Sequence, residues 1–240
     1  HWLIKFRHTY DPQDKTLTAL DVNDFNANPN FSWEQMAQIR EGLEAGVDVN
    51  VYATPEFDWL QMRQIREGLE EGLDVGIYTD PIFDYRQMHE LQRGLKAGID
   101  VTSFADPELS GYGMQNRHLA LKKSDPQIAP YISMIEHYDD PDFDGEIPFK
   151  SEQLREIREG ILNSVDVSVY ADPKYNEEQM RQIREGLEQG LDVSIYAKPE
   201  FDGGQMIRIR KGLEQKLDVS FYAKPGFNRG QIEQIRKGLE

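Results

Sequence analysis

The chain has no cysteine among its 240 residues, and this absence excludes several kinds of chemistry at once. Without thiols there is no disulfide bond, no zinc–thiolate site and no cysteine nucleophile. Cysteine-free chains occur in oxidising and reducing compartments alike, so the compartment stays open. The sequence therefore predicts a fold held together by packing and hydrogen bonds alone.

Basic residues are scarce as well. Lys and Arg number 27 against 43 Asp and Glu, which leaves a formal net charge of −16. Proteins that bind nucleic acid or anionic membranes present a basic face, so this charge balance argues against either kind of partner. No apolar run approaches the roughly 18 residues that a membrane-spanning helix needs. Apolar residues still make up 38% of the chain, which is enough for a buried core.

Sequence motifs of catalysis are also missing. The chain contains no G-x-S-x-G, H-E-x-x-H, P-loop or G-x-G-x-x-G string. Its histidines stand at places that are not equivalent to one another: His1, His8, His89, His118 and His137. We therefore expect a protein that is not an enzyme.

A tandem repeat organises most of the sequence. Prolines recur at intervals of 26 residues, with two longer intervals of 34 and 32 residues in the middle of the chain. Helical units of this length bury their apolar faces only by stacking on one another. The period therefore predicts an all-α solenoid of about eight units, each with a long helix and a short one. The prolines are Pro29, Pro55, Pro81, Pro107, Pro141, Pro173, Pro199 and Pro225.

Two start signals mark each long helix. In the unit from 55 to 80, Asp58 and Gln61 have the spacing of a capping box, and Phe57 and Met62 that of a hydrophobic staple. Gly72 stands where a glycine ends a helix, which predicts a helix of about 13 residues. The capping box recurs as Ser32/Gln35, Asp84/Gln87, Asn176/Gln179, Asp202/Gln205 and Asn228/Gln231.

The short second element admits two interpretations. Its β-branched residues alternate with others, as in a strand. Val75 and Tyr78, however, have steady counterparts in the other units, and this i, i+3 spacing favours a single helical turn.

A glycine recurs inside every long helix, although a helix-interior glycine costs roughly 1 kcal/mol relative to alanine. We predict that a neighbouring helix or the short turn lies too close for a Cβ atom. The alternative is a ligand pressed against bare backbone. The glycines are Gly42, Gly68, Gly94, Gly160, Gly186, Gly212 and Gly238.

The repeats divide the chain into four segments. We expect a non-repeat N-terminal cap over 1–28, repeats one to three over 29–106, a degenerate repeat with insertions over 107–148, and repeats five to eight over 149–240. In the cap, apolar residues are predicted to cover the first repeat: Trp2, Leu3, Ile4 and Phe6. Apolar residues from Ile128 to Ile135 predict a lengthened second helix in the degenerate repeat.

An acidic string in the degenerate repeat resembles the start of an EF-hand calcium loop, D-x-D-x-D-G. The twelfth place holds Ser151 instead of glutamate, so Ca²⁺ is a candidate cofactor on an incomplete pattern. The alternative is favoured: 138–144 matches the repeat linker 196–202. The candidate metal ligands are Asp140, Asp142, Asp144, Glu146 and Glu152.

Two sets of side chains are candidates for a binding surface. Trp33, Trp59 and Tyr85 occupy the first helical position of three consecutive units, where they either pack locally or meet a partner. Arginines recur at another position and either bridge repeats or form a row of anion-binding forks. The arginines are Arg40, Arg66, Arg158, Arg184, Arg210 and Arg236.

The unit Q-M-x-x-I-R-x-G-L-x-x-G-x-D-V-x-x-Y-A-x-P-x-F resembles short tandem repeats in uncharacterised proteins of anaerobic gut bacteria, over 29–106 and 149–240. That resemblance implies no activity. In its order of elements the unit is similar to leucine-rich variant repeats, which implies alternating α- and 3₁₀-helices in a right-handed superhelix. We expect a scaffold that binds a protein or peptide, with a calcium-responsive module around 140–152 or a spacer as alternatives.

Overall fold

A computed structural model describes residues 30–143 and 145–239. Over these ranges the protein is all-α, with nine α-helices, six 3₁₀-helices and no strand. The chain forms two compact units, one ending at His118 and one beginning at Leu119. The predicted N-terminal cap and Asp144 lie outside the described residues.

In the first unit, long α-helices alternate with one-turn 3₁₀-helices. The order is α1 (Trp33–Ala45), η1 (Val49–Val51), α2 (Trp59–Glu70), η2 (Val75–Ile77), α3 (Tyr85–Lys96), η3 (Val101–Ser103) and α4 (Gly111–Lys122). Helices α1, α2 and α3 pack in sequential order. The short element is therefore a helical turn, and the strand interpretation is wrong.

The second unit, whose boundary falls inside α4, repeats the pattern after one departure. It contains α5 (Ala129–Glu136), α6 (Ser151–Leu162), η4 (Val167–Val169), α7 (Glu177–Glu188), η5 (Val193–Ile195), α8 (Gly203–Glu214), η6 (Val219–Phe221) and α9 (Arg229–Leu239). Helix α5 stands where the other repeats have a 3₁₀-helix, which confirms the lengthened second helix. From α5 onwards each long helix packs on the next.

The predicted capping boxes begin the helices. The Asp58 N–H donates to Gln61 Oε1 at 2.7 Å, and the Gln61 N–H donates to Asp58 Oδ1 at 2.9 Å. The same reciprocal pair opens α1, α3, α7, α8 and α9. In α6, Lys150 stands at the cap and only the glutamine half is present, with the Lys150 N–H donating to Gln153 Oε1 at 2.8 Å.

The helix ends also follow the prediction. Gly72 has a φ of +71°, and the Leu73 N–H returns to the Gly68 carbonyl at 2.9 Å, which satisfies the last turn of α2. Ser164 and Lys216 take the same left-handed conformation at the ends of α6 and α8, with φ of 58° and 59°.

Each unit has its own core, built from the helix stripe, the 3₁₀-helices and the staple residues. In the first unit the fully buried side chains include Ile39, Tyr52, Met62, Ile65, Tyr78, Met88 and Leu91. In the second they include Ile157, Tyr170, Met180, Ile183, Tyr196, Met206 and Ile209.

In six repeats the glycine inside the long helix faces the 3₁₀-helix of its own repeat, whereas no described atom lies within 4 Å of a Cβ position on the seventh, Gly238. A Cβ atom on Gly68 would overlap the hydroxyl oxygen of Tyr78 and would lie 2.8 Å from Val75 Cγ1. Gly42 meets Tyr52 and Val49 in the same way. The predicted steric reason is confirmed for these six glycines, and the short turn is the element that approaches.

The tyrosine of the 3₁₀-helix uses this close approach to bond the long helix. The Tyr52 hydroxyl donates to the Gln38 carbonyl at 3.0 Å, and the Tyr196 hydroxyl donates to the Gln182 carbonyl at 3.0 Å. Tyr170 repeats the bond in α6. The glycine therefore leaves room for a buried hydrogen bond between the two helices of a repeat.

Candidate functional site

Glutamines of the capping boxes tie neighbouring helix starts together. Gln61 Nε2 donates to the carbonyl of Phe83 at 2.7 Å and to that of Pro81 at 3.2 Å, both in the segment leading into α3. The sequence shows the Oε1 half of this arrangement, since it belongs to the capping box, but we missed the Nε2 half. The first turns of α1, α2 and α3 therefore lie side by side. The same inter-repeat bond is made by Gln35, Gln87, Gln153, Gln179 and Gln205.

This arrangement places the three aromatic residues in one row along the N-terminal edge of α1–α3. Trp33 is 78% exposed and Trp59 is 39% exposed, while Tyr85 is half-buried. The first position of the next helix, α4, holds Gly111 instead of an aromatic residue, and the residue after it, Tyr112, is 63% exposed. We call Trp33, Trp59 and Tyr85 the aromatic row.

An open groove of about 420 Å³ lies at the end of the aromatic row, between α3 and α4. Tyr85 and Tyr112 line it together with Arg86 and His89. Helix α4 begins at Gly111 close to α3: a Cβ atom on Gly111 would lie 3.1 Å from Arg86 Cβ.

A buried carboxylate, that of Glu90, also lines the groove. Gln115 Nε2 donates to Glu90 Oε1 at 2.8 Å, Arg93 Nη1 lies 3.3 Å from it, and His89 Nδ1 lies 3.3 Å from it. Burial acts to raise the pKa of Glu90, but the hydrogen bonds from His89 and Gln115 and the charge of Arg93 hold that pKa below its usual range. Glu90 is therefore charged and already has its donors.

The predicted arginine row bridges repeats in the structure. Arg66 Nε donates to Gln38 Oε1 at 3.1 Å, and its Nη2 lies 3.0 Å from Glu41 Oε2, both in the preceding helix. Only 12% of the Arg66 side chain is exposed. Arg210 repeats both bonds, and Arg184 and Arg236 also reach back to the preceding repeat.

The bridging interpretation of the arginine row is thus supported for four members. Arg40 is exposed in α1 and makes no ion pair within the ranges that the structure describes, and Arg158 is half-buried. Anion binding by the row stays a prediction. The aspartates before the 3₁₀-helices are caps: Asp74 Oδ1, for example, accepts the Gly76 N–H at 3.1 Å.

The acidic string in the degenerate repeat behaves as a linker in its first residues. Asp140 Oδ1 accepts the Asp142 N–H at 3.0 Å, just as Asp80 accepts from Ile82 at 2.9 Å and Asp106 accepts from Glu108 at 3.0 Å in regular linkers. Among the described residues, which omit Asp144, no three His, Asp or Glu side chains are grouped to hold a metal. The calcium site stays a prediction.

Comparison of the chain with protein-family models, with curated proteins and with solved structures finds no match. In the described stretches of the chain, each helix is too short or too polar to cross a bilayer. The fold is a repeating pair of an α-helix and a 3₁₀ turn. The aromatic row lies on the edge of three such pairs and is the feature that bears most directly on function.

Proposed function

We propose that the protein is a non-catalytic repeat scaffold that binds a peptide or protein segment along the aromatic row. The observation that carries the proposal is that Trp33 and Trp59 are exposed at the same position of consecutive repeats, whereas the tyrosines that follow the 3₁₀-helices, such as Tyr52 and Tyr78, are fully buried. Tryptophan and tyrosine are the residues most enriched at binding hot spots, because a large rigid ring is desolvated at little loss of conformational freedom.

Packing of the repeat does not explain the aromatic row. In the second unit, Glu177, Gly203 and Arg229 occupy the same first helical position, and their helices begin with the same capping box. The helix start is thus compatible with an acidic, an absent or a basic side chain. Three consecutive aromatic residues at this position therefore favour contact with another molecule.

The charge around the aromatic row supports a basic partner. Glu34 follows Trp33, and the exposed Glu56 lies in the segment bonded to α1 through Gln35. The chain as a whole carries a formal charge of −16. Complementary charge speeds association and disfavours acidic competitors, so a segment with Lys or Arg beside its apolar residues suits this edge.

A display library of random peptides of about 12 residues tests the proposal, with the full chain as the immobilised target. We expect enriched peptides to lose at least about tenfold in affinity for the Trp33→Ala/Trp59→Ala variant, because both rings leave the interface. Phe221→Ala is the matched control, since it removes an exposed aromatic side chain of the second unit. No enrichment, or equal binding by the double variant, would refute the proposal.

The finer features of the fold belong to the same proposal. We infer that the repeats of each unit wind in a right-handed superhelix, as the similarity to leucine-rich variant repeats implies. A crystal structure with a left-handed winding would contradict this. The calcium-responsive module around 140–152 and the spacer role are the alternative functions; a shift in thermal unfolding on adding Ca²⁺, reversed by a chelator, favours the first of these.

A further inference from the structure

We infer that the partner's side chains that contact Trp33 and Trp59 are arginines, whose guanidinium groups stack on the indole rings and pair with carboxylates at the same edge. This inference rests on the proposed function and specifies the chemistry that the aromatic row recognises. Three observations carry it: an arginine already on the third ring of the row, an arginine at the matching edge of the second unit, and edge carboxylates without ion pairs.

The third ring of the aromatic row already carries a guanidinium group. Arg86 places its Cζ atom 5.6 Å from the centre of the Tyr85 ring, and its Nε donates to the Tyr85 hydroxyl at 3.0 Å. The residue after each tryptophan is Glu34 in α1 and Leu60 in α2, so neither indole receives an arginine from that position. Because indole attracts a cation more strongly than phenol does, both exposed tryptophans suit a guanidinium from another molecule.

The second unit shows what an arginine does at the same edge. Arg229, the first residue of α9, reaches back to α8, where its Nε donates to Oδ1 of the capping Asp202 at 2.9 Å. A Cβ atom on Gly204 would overlap this guanidinium, so the arginine lies over the first turn of α8. Asp202 Oδ1 also accepts the Gln205 N–H at 2.9 Å. A capping aspartate can therefore hold a guanidinium without giving up its helix.

The first unit offers the same kind of cap without the arginine. Asp58 Oδ1 accepts two backbone N–H groups of α2, at 2.8 and 2.9 Å, and its Oδ2 accepts no hydrogen bond from a described residue. The position that Arg229 has relative to Asp202 is held by Tyr85 relative to Asp58. An arginine that binds here must therefore come from a partner, and Trp59 directly follows the cap.

Carboxylates along this edge of the first unit make no ion pair with any described residue. In the second unit, by contrast, Asp172 lies 3.7 Å from Lys174 Nζ, and Glu177 and Glu178 pair with Arg181 at 3.1 and 2.9 Å. Uncompensated negative charge therefore lies beside the aromatic residues, where it favours a cationic side chain. The carboxylates without ion pairs are Glu34, Glu56, Asp58, Asp80 and Asp84.

Arginine suits this edge better than lysine. A planar guanidinium stacks on a ring and donates to a carboxylate at the same time, whereas an ammonium group is a compact, strongly hydrated charge. The protein itself uses arginine at both contacts, on Tyr85 and on Asp202. The ammonium groups of Lys198 and Lys224, in linkers of the second unit, make no ion pair with the described residues.

Fluorescence polarisation with three labelled peptides of about 12 residues tests the inference on the full chain. The first peptide has arginines separated by glycine and serine, the second has lysine in place of each arginine, and the third has citrulline, the neutral isostere of arginine. We expect the lysine peptide to bind about three- to fivefold more weakly than the arginine peptide, and the citrulline peptide at least about tenfold more weakly. No binding of the arginine peptide, or equal affinity for either of the others, would overturn the inference.

Asp58→Asn isolates the contribution of the carboxylate. Asparagine already caps α7 at Asn176 and α9 at Asn228, so we expect this variant to keep its helix start, as circular dichroism and thermal unfolding would show. The arginine peptide should bind about three- to fivefold more weakly, because one carboxylate of the site loses its charge. Asp202→Asn makes the same change in the second unit and should leave the affinity unchanged. Equal affinities of the two variants for the arginine peptide would contradict the inference.

The display selection distinguishes failure of this inference from failure of the proposed function. Enriched peptides that depend on Trp33 and Trp59 but lack arginine would leave the scaffold function standing and refute arginine as the recognised group. Peptides whose binding is independent of both tryptophans would refute both proposals. Peptides that are rich in arginine and depend on the tryptophans support both.

Discussion

In three repeats, the glycine of the long helix and the tyrosine that follows the next 3₁₀-helix act together to form one buried hydrogen bond. Gly186 lets Tyr196 approach until its hydroxyl reaches the Gln182 carbonyl, a main-chain group that also lies in the helix interior. The repeat therefore exchanges some helix propensity for a buried hydrogen bond and for contact between its two helices. Phe104 shows that the ring alone can fill this place in the third repeat.

Adding a methyl group to this glycine is expected to destabilise the first unit. Gly68→Ala would bring its Cβ into Tyr78 and Val75, and overpacking of this kind costs about 1–3 kcal/mol. Gly68→Leu would cost more. The measurement is the free energy of unfolding in urea.

Gly238→Ala is the matched control for this substitution. No described atom lies within 4 Å of a Cβ atom there, so the helix propensity of alanine acts alone and stabilises by up to about 1 kcal/mol. Equal losses in both variants would contradict the steric explanation.

The buried tyrosines make the protein sensitive to alkali. Burial raises the pKa of Tyr52, Tyr78, Tyr170 and Tyr196 above the ordinary value of 10.0. Above about pH 10 the unfolded chain releases phenolic protons that the folded chain retains, so ionisation favours unfolding. The tyrosines' contribution to the free energy of unfolding is fully present below that pH. Above it, this free energy falls by up to about 1.4 kcal/mol per pH unit for each tyrosine.

Urea unfolding at about pH 8 and about pH 11 measures this loss. Tyr170→Phe is the informative variant: it removes the bond to the Glu156 carbonyl, for about 1 kcal/mol at neutral pH, and makes the alkaline loss shallower. A variant with the same pH dependence as the parent protein would exclude Tyr170 as one of the responsible groups.

Each capping box reaches beyond its own helix. Gln179 Oε1 accepts the Asn176 N–H at 2.8 Å, and Gln179 Nε2 donates to the Phe201 carbonyl at 2.6 Å in the next repeat. Glutamate could make the first bond but not the second. The amide therefore joins a local helix start to the stacking of repeats.

The substitution Gln179→Glu is expected to cost about 1–3 kcal/mol, because a carboxylate would face the Phe201 carbonyl with no proton to donate. In Gln231, the same residue of α9, the amide nitrogen bonds no described residue, so Gln231→Glu should be nearly neutral. Thermal unfolding of the two variants gives the comparison. A large loss in Gln231→Glu would show that the capping half matters more than the bridge.

Local elements could be predicted from the sequence because their determinants lie within a few residues. Asp58, Gln61 and Gly72 specify where α2 begins and ends. Contacts between repeats were less accessible, because glutamine and glutamate serve equally in a capping box and only the choice of glutamine each time hints at a second bond. The direction of superhelical winding depends on small rotations that no single residue encodes.

The candidate site was predictable in part for a similar reason. The positions of Trp33, Trp59 and Tyr85 follow from the repeat, but their exposure depends on what the neighbouring helix places beside them. The groove lies between α3 and α4, and α4 belongs to the degenerate repeat, where the pattern offers no register. The pairing of Glu90 with Gln115 joins two helices and has no local signature.

Each unit has a separate buried core, and this bears on how the whole molecule loses structure. The first core includes Ile65 and the second includes Ile183, each fully buried. In repeat proteins each repeat contacts its sequence neighbours, so the free energy of unfolding is the sum of local and nearest-neighbour terms. A cavity in one repeat should therefore act chiefly on the adjoining repeats.

Hydrogen exchange read residue by residue tests this. Ile65→Ala should remove about 2–5 kcal/mol from the packing of α2 and lower amide protection in α1, α2 and α3. Ile183→Ala should do the same for α6, α7 and α8. A uniform loss of protection along the chain from either substitution would indicate global unfolding instead.

The glutamine bridge has a consequence for how such a chain changes its length. Six described repeats each supply one glutamine amide to the carbonyl group just before the next long helix, at the same atoms each time. A 26-residue copy can therefore be spliced in or removed by recombination between identical registers, and both new junctions are chemically complete. Growth by tandem duplication needs no compensating mutation at the seam.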